Sequence, residues 1–239
     1  MDKTLKITTA VLIVGIIGFA AFIGWNWFAQ NAYRSSHTGT FSYTLNITTD
    51  SPLTNVTFFI PVPEDKGGNS PIVSQFSSHS ISGIPRDWDT TLYSTGKSTL
   101  VKITAQHITP PAGTTPRQPY EISFSVANVS PKEIDTTSPV ETGVMFKPAE
   151  DLTAIPCANG TCYRYGIPVY ADYTASPGAI VTIASTLSGR NDWKLIEPAF
   201  NEYHAAFTLR LTGENHGWST ASGTLTAGIG SYDHPAAAP

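Results

Sequence analysis

Two patterns of apolar and polar positions divide the chain. From Ala10 to Trp25 the run AVLIVGIIGFAAFIGW has no charged side chain, and with Ile7 before it and Trp27 and Phe28 after it the apolar stretch covers residues 7–28. As a helix rising ~1.5 Å per residue, such a run reaches about 33 Å, enough for a hydrocarbon core of about 30 Å. Trp25, Trp27 and Phe28 gather at its far end, where amphipathic rings favour the lipid–water boundary, and Lys3 and Lys6 precede it. Arg34 competes on the far side, but two lysines on a short N-terminal tail favour an inside N-terminus. The pattern therefore predicts a cytoplasmic tail (1–6), one transmembrane helix (7–28), a juxtamembrane linker (29–38) and an extracytoplasmic remainder, at the cell membrane. A cleaved signal peptide is the rival reading, although Ala29-Gln30-Asn31-Ala32 is a poor cleavage match. A pilin-type leader is a third, opposed by Lys6-Ile7 and by the lack of an acidic residue early in the run.

Beyond residue 38 the period becomes two. Phe41, Tyr43, Leu45 and Ile47 alternate with polar residues, then Val56, Phe58, Ile60 and Val62 do the same, which marks half-buried strands. With Asp50-Ser51-Pro52 between them, these two read as an antiparallel hairpin. A short strand is expected at Ile72-Val73, and a hairpin at 90–94 and 98–105 around Gly96. Further strands are expected at 120–126, 143–146, 163–173, 179–187, 205–212 and 223–229, and a turn of helix at 197–203. Four prolines in 107–119 make that stretch a long loop or a sub-division. The fold class expected is all-β: an antiparallel β-sandwich over 39–232 behind one transmembrane helix, with a disordered tail at 233–239. Its core should hold Tyr43, Leu45, Val56, Phe58, Ile60, Ile122, Phe124, Ile183, Phe207 and Leu209.

Composition sharpens the location. Charged residues are 13% of the 239, so Thr, Ser, Asn, Gly and Pro supply the polarity, which suits strands and turns. A net charge of -4 without a basic run argues against nucleic acid. The two cysteines, Cys157 and Cys162, bracket Ala-Asn-Gly-Thr. Asn159-Gly160 predicts a two-residue type I′ turn that sets the cysteines opposite each other, about 4.5 Å apart at Cα, as a hairpin disulfide suited to an oxidising compartment. Asn46, Asn55, Asn128 and Asn159 head Asn-x-Ser/Thr sequons. All lie beyond the helix and are equally readable as polar surface residues.

Chemistry is sparse. The six histidines, His37, His79, His107, His204, His216 and His234, show no metal-binding spacing, and no metal or other cofactor is implied. No nucleophile elbow, zincin motif or phosphate loop occurs, so a non-enzymatic protein is expected. The loop carboxylates offer only a weak case for an extracellular hydrolase. The most suggestive residues are Trp88, Trp193 and Trp218, each set among polar neighbours that include Asn191 and Asn215. Gathered at one end of a sandwich, they would offer rings to stack on sugars and amides to bind hydroxyls. Plugging the core is the plainer role for them. The sequence thus favours a structural or protein-interaction role at the surface or envelope, with a protein partner or self-association. A carbohydrate-binding module is the alternative.

Overall fold

The computed structural model describes residues 3–77, 83–96, 98–141 and 143–233. His79, His234 and, of the expected tail, residues 234–239 lie outside the described residues. Helix α1 (Lys3–Ser36) opens the chain. It is apolar around its whole circumference, which suits a helix surrounded by lipid rather than one packed by a single stripe. Every residue from 7 to 28 is exposed, and among the described residues it is the one helix long and apolar enough to cross a membrane. The stretch 29–36, expected as a linker, continues the helix. There Ala29 and Tyr33 are buried. Their four-residue spacing puts both on one face, and that face meets the β domain.

Ten strands follow: β1 (Thr38–Thr49), β2 (Leu53–Pro61), β3 (Asp89–Ser94), β4 (Thr99–Ile108), β5 (Tyr120–Ser130), β6 (Thr153–Ile155), β7 (Thr161–Thr174), β8 (Ile180–Lys194), β9 (Pro198–Thr212) and β10 (Asn215–Gly230). One short helix, α2 (Val73–Ser77), lies between β2 and β3. Every strand pairing is antiparallel. The strands form one sheet in the order β3-β4-β2-β7-β10-β9-β8-β1-β5, with β6 added to β7. The sheet curls into a half-barrel, so the two walls expected of a sandwich are the two halves of one continuous sheet. Its two ends approach each other. Trp88, just before β3, packs edge-on against Phe124 of β5 with centroids 6.1 Å apart, and the Asn128 side chain of β5 donates to the Pro71 carbonyl at 2.7 Å.

All ten expected core residues are buried. Alternation explains this: β1 and β8 bury every second side chain for most of their length. The interior is completed by the irregular segments 131–141 and 143–149, whose buried residues include Ile134, Val144, Met145 and Phe146. Phe146 packs on Tyr43 (6.3 Å) and Phe207 (4.9 Å), and the Tyr203 hydroxyl donates to the Val144 carbonyl.

Four local expectations are corrected. β1 and β2 are not hairpin partners. β1 lies between β5 and β8, and β2 between β4 and β7. Asp50 ties the corner between them to the start of β8, accepting the Ile180 N–H at 2.8 Å, and the chain crosses from one half of the sheet to the other. Ile72-Val73 leads into α2 rather than a strand. The expected helix at 197–203 is the start of β9, held by fifteen paired positions along β8. The expected strand at 143–146 makes a single bridge, Met145 to Glu64, because its apolar residues fill the interior instead of a sheet position.

Candidate functional site: an outward aromatic face

Alternation also decides what faces out. In Phe58-Phe59 only one ring can point inward. Phe58 takes the core, so Phe59 stands on the outer surface of β2. The register then lines up a row across neighbouring strands, with Lys102 (β4), Phe59 (β2), Tyr170 (β7) and Trp218 (β10) directly opposite one another in turn. Phe59 and Tyr170 centroids are 5.4 Å apart, Tyr170 and Trp218 are 5.4 Å apart, and Tyr93 of β3 joins diagonally at 5.6 Å from Phe59. All three contacts are edge-to-face, the arrangement aromatic quadrupoles favour. Lys102 Nζ lies 5.9 Å from the Phe59 ring centre. The row ends in its two most exposed members, Tyr93 (52%) and Trp218 (59%).

The next row on the same face is polar: Asp89 (β3), Thr104 (β4), Thr57 (β2), Asp172 (β7) and His216 (β10). His216 Nδ1 and Asp172 Oδ1 are 2.7 Å apart, and the Tyr170 hydroxyl donates to Asp172 Oδ2 at 3.3 Å. The hydrogen bond to the Asp172 carboxylate raises the His216 pKa above its ordinary 6.5, with Glu214 adding to the effect. At the β3 end of this row an open depression of about 500 Å³ is bounded by Asn55, Thr57, Asp87, Asp89, Thr104 and Gln106. Exposed rings beside carboxylates, hydroxyls and amides can supply apolar contact and directional hydrogen bonds to one partner.

The residues singled out from sequence are dispersed. Trp88 is buried against Phe124, and Trp193 is buried against Tyr33 of α1 with centroids 5.8 Å apart. Only Trp218 presents its ring to solvent. Asn191 is fully buried. Its side chain accepts from the Ile134 N–H (2.9 Å) and donates to the Ile134 carbonyl (2.7 Å) and to Asn201 Oδ1 (2.8 Å). Asn215 donates to the Ala171 carbonyl, bracing the start of β10. The three tryptophans thus make three separate aromatic contacts rather than one platform.

Cys157 and Cys162 lie at disulfide distance, Cα–Cα 5.9 Å. The turn between them differs from expectation. Ile155, not Cys157, stands opposite Cys162, and of the Asn159-Gly160 pair only Gly160 has positive φ, so the connection is a longer loop than a two-residue hairpin. Gly160 is tucked against β10, where a Cβ would come within 1.9 Å of the Ala227 carbonyl oxygen. Among the sequon asparagines, Asn55 (φ 55, at a break in the β2–β7 register) and Asn159 are exposed. Asn46 accepts from Ser123 Oγ, and Asn128 spends its amide on Pro71.

Phe59, Tyr93 and Tyr170 were not legible as site residues. The available signal was a large ring on the polar parity of an alternating strand. Among the described residues, no three His, Cys, Asp or Glu side chains converge on a possible metal position. No protein-family model matches the chain, and neither a curated protein nor a solved structure matches it.

Proposed function

We propose that this chain is a single-pass membrane protein, N-terminus cytoplasmic, whose extracytoplasmic β domain serves a non-enzymatic role in protein–protein contact at the cell surface or envelope. The exposed aromatic row Tyr93–Phe59–Tyr170–Trp218 carries the reading. It sits on the outer face of a sheet whose alternation would otherwise place polar residues there, and exposed rings of this kind are what interface cores use. The fully exposed apolar span of α1 supports the membrane location.

The test is photo-cross-linking of the full-length chain in intact cells, with the photoreactive residue at Thr91 in the face, or at Thr114 in the β4–β5 loop as control. Reproducible capture of one protein, or of a second copy, from Thr91 and not from Thr114 is the expected result. It should be lost in Trp218→Ser with Tyr93→Ser. Equal recoveries from both positions, or substrate turnover by the purified protein, would sink the proposal.

The depression edged by Asp87, Asp89 and Asn55 supports a second reading, a glycan lying across the polar row with Trp218 stacked on a sugar face. Binding to a glycan array that Trp218→Ala abolishes while the thermal midpoint is unchanged would move that reading to first place.

A further inference from the structure

The β8–β9 hairpin does not stop where its neighbour begins. β1 starts at Thr38, opposite Asp192, but β8 runs on through Trp193 and Lys194 before the chain bends at residues 195–197. Beyond Thr38 the structure beside β8 is therefore α1, not β1. The two are fastened. Ser36 Oγ accepts the Lys194 N–H at 2.9 Å and lies 3.0 Å from the Lys194 carbonyl, and Trp193 packs edge-on against Tyr33. Tyr33, buried against Trp193, shows that the domain covers α1 for about one turn below Ser36. The hairpin tip is thus a prong beside the helix, directed the way the helix leaves the domain. Its outermost apolar residue, Ile196, is 69% exposed.

Lengths place the tip. From Phe28 to Ser36 a helix rises about 12 Å at ~1.5 Å per residue. Lys194 to Ile196 reaches about 7 Å when extended at ~3.3 Å per residue. At that reach the tip ends about 5 Å above the level of Phe28, and the headgroup layer of one leaflet is about 5–7 Å thick. Trp25, Trp27 and Phe28 mark the hydrocarbon edge. Around the tip, Lys194 and Arg34 are exposed, and so are two acids, Glu197 and Glu133, the latter beside Tyr33. We propose that the tip 195–197, led by Ile196, lies in the headgroup layer of the leaflet from which α1 emerges, so that the domain touches the bilayer at a second point and cannot swing freely. This rests on reading α1 as a membrane span.

The experiment uses the full chain in vesicles of phosphatidylcholine with a minor share of phosphatidylglycerol. Single nitroxides are attached at Ile196→Cys, at Ile17→Cys within the span and at Ser176→Cys in the exposed β7–β8 turn. Relaxation by oxygen and by a water-soluble nickel chelate is then measured. Expected is a label at 17 shielded from nickel, a label at 176 fully accessible, and a label at 196 with several-fold weaker nickel relaxation than at 176. A label at 196 as accessible as that at 176, with 17 still shielded, overturns the second contact and leaves the span intact. Nickel access at 17 overturns both. Shielding of 196 in native membranes but not in pure lipid assigns the tip to a protein instead, and also overturns the proposal.

Discussion

Asn191 shows how a polar residue that looks available in a sequence can be spent in the interior. Its amide closes both backbone groups of Ile134, and Asn201 Oδ1 takes further donors from Asn191 and from Thr136 Oγ1 (2.9 Å). The network fastens the interior segment to β8 and β9, and its members are buried, so each unmade bond costs the desolvation of its partner. Asn191→Leu, which keeps the branched outline but makes none of these bonds, is expected to lower unfolding free energy by about 3 kcal/mol in denaturant titration. His216 is the opposite case, an exposed side chain on a carboxylate. Its pKa is raised in the folded chain, so the pair's stabilising contribution is complete below the ordinary value of 6.5 and disappears as pH climbs through the raised value. Histidine NMR should show the elevated titration and its return toward normal in Asp172→Asn. The accompanying change in stability should be small, because the pair is solvent-exposed.

Elements were legible where alternation was long. The period-two runs at 41–48 and 120–126 lie within strands, that at 56–62 does so as far as Pro61, and Gly96 does turn β3 into β4. What sequence could not supply was pairing, since alternation tells which side chains face in but not which strand lies alongside. Strand length was underestimated for a related reason. Gly189, Asn191 and Asn215 read as loop residues, yet Gly189 sits in mid-β8 because Tyr203 of β9 lies over it. A Cβ at 189 would come within 2.2 Å of that ring. The ring is buried and its hydroxyl is held by Val144, so it has little room to yield. Gly189→Ala is expected to cost about 1–3 kcal/mol by thermal or denaturant unfolding, the range for overpacking. The outward face escaped for yet another reason. Its residues come from four strands distant in sequence, and only the register makes Phe59, Tyr170 and Trp218 neighbours.

At the scale of the whole molecule, helix α1 and the β domain are one piece. The helix runs without a break into residues that the β domain buries, with no linker between Phe28 and Ser36 to act as a joint. Tyr33 is the centre of that attachment, packed between His37 and Trp193. Tyr33→Ala is expected to cost about 3 kcal/mol and to speed amide exchange around Asp192–Lys194, while leaving exchange in β2 and β4 unchanged. Slowed or unchanged exchange at Asp192–Lys194 would mean that the helix is fastened elsewhere.

The position of β1 between β5 and β8 has a consequence for how the protein is made. β1 is the first strand to follow the helix, yet both of its neighbours are encoded far downstream, and β8 precedes only β9 and β10. During synthesis β1 must wait with both hydrogen-bonding edges open until β5 is made, and with one edge still open until β8 follows, its alternating apolar side exposed, a state prone to mispairing. Maturation is thus set by the arrival of β8. Chains stalled before residue 180 should remain protease-sensitive through β1, and release of the stall should protect β1 and β8 together.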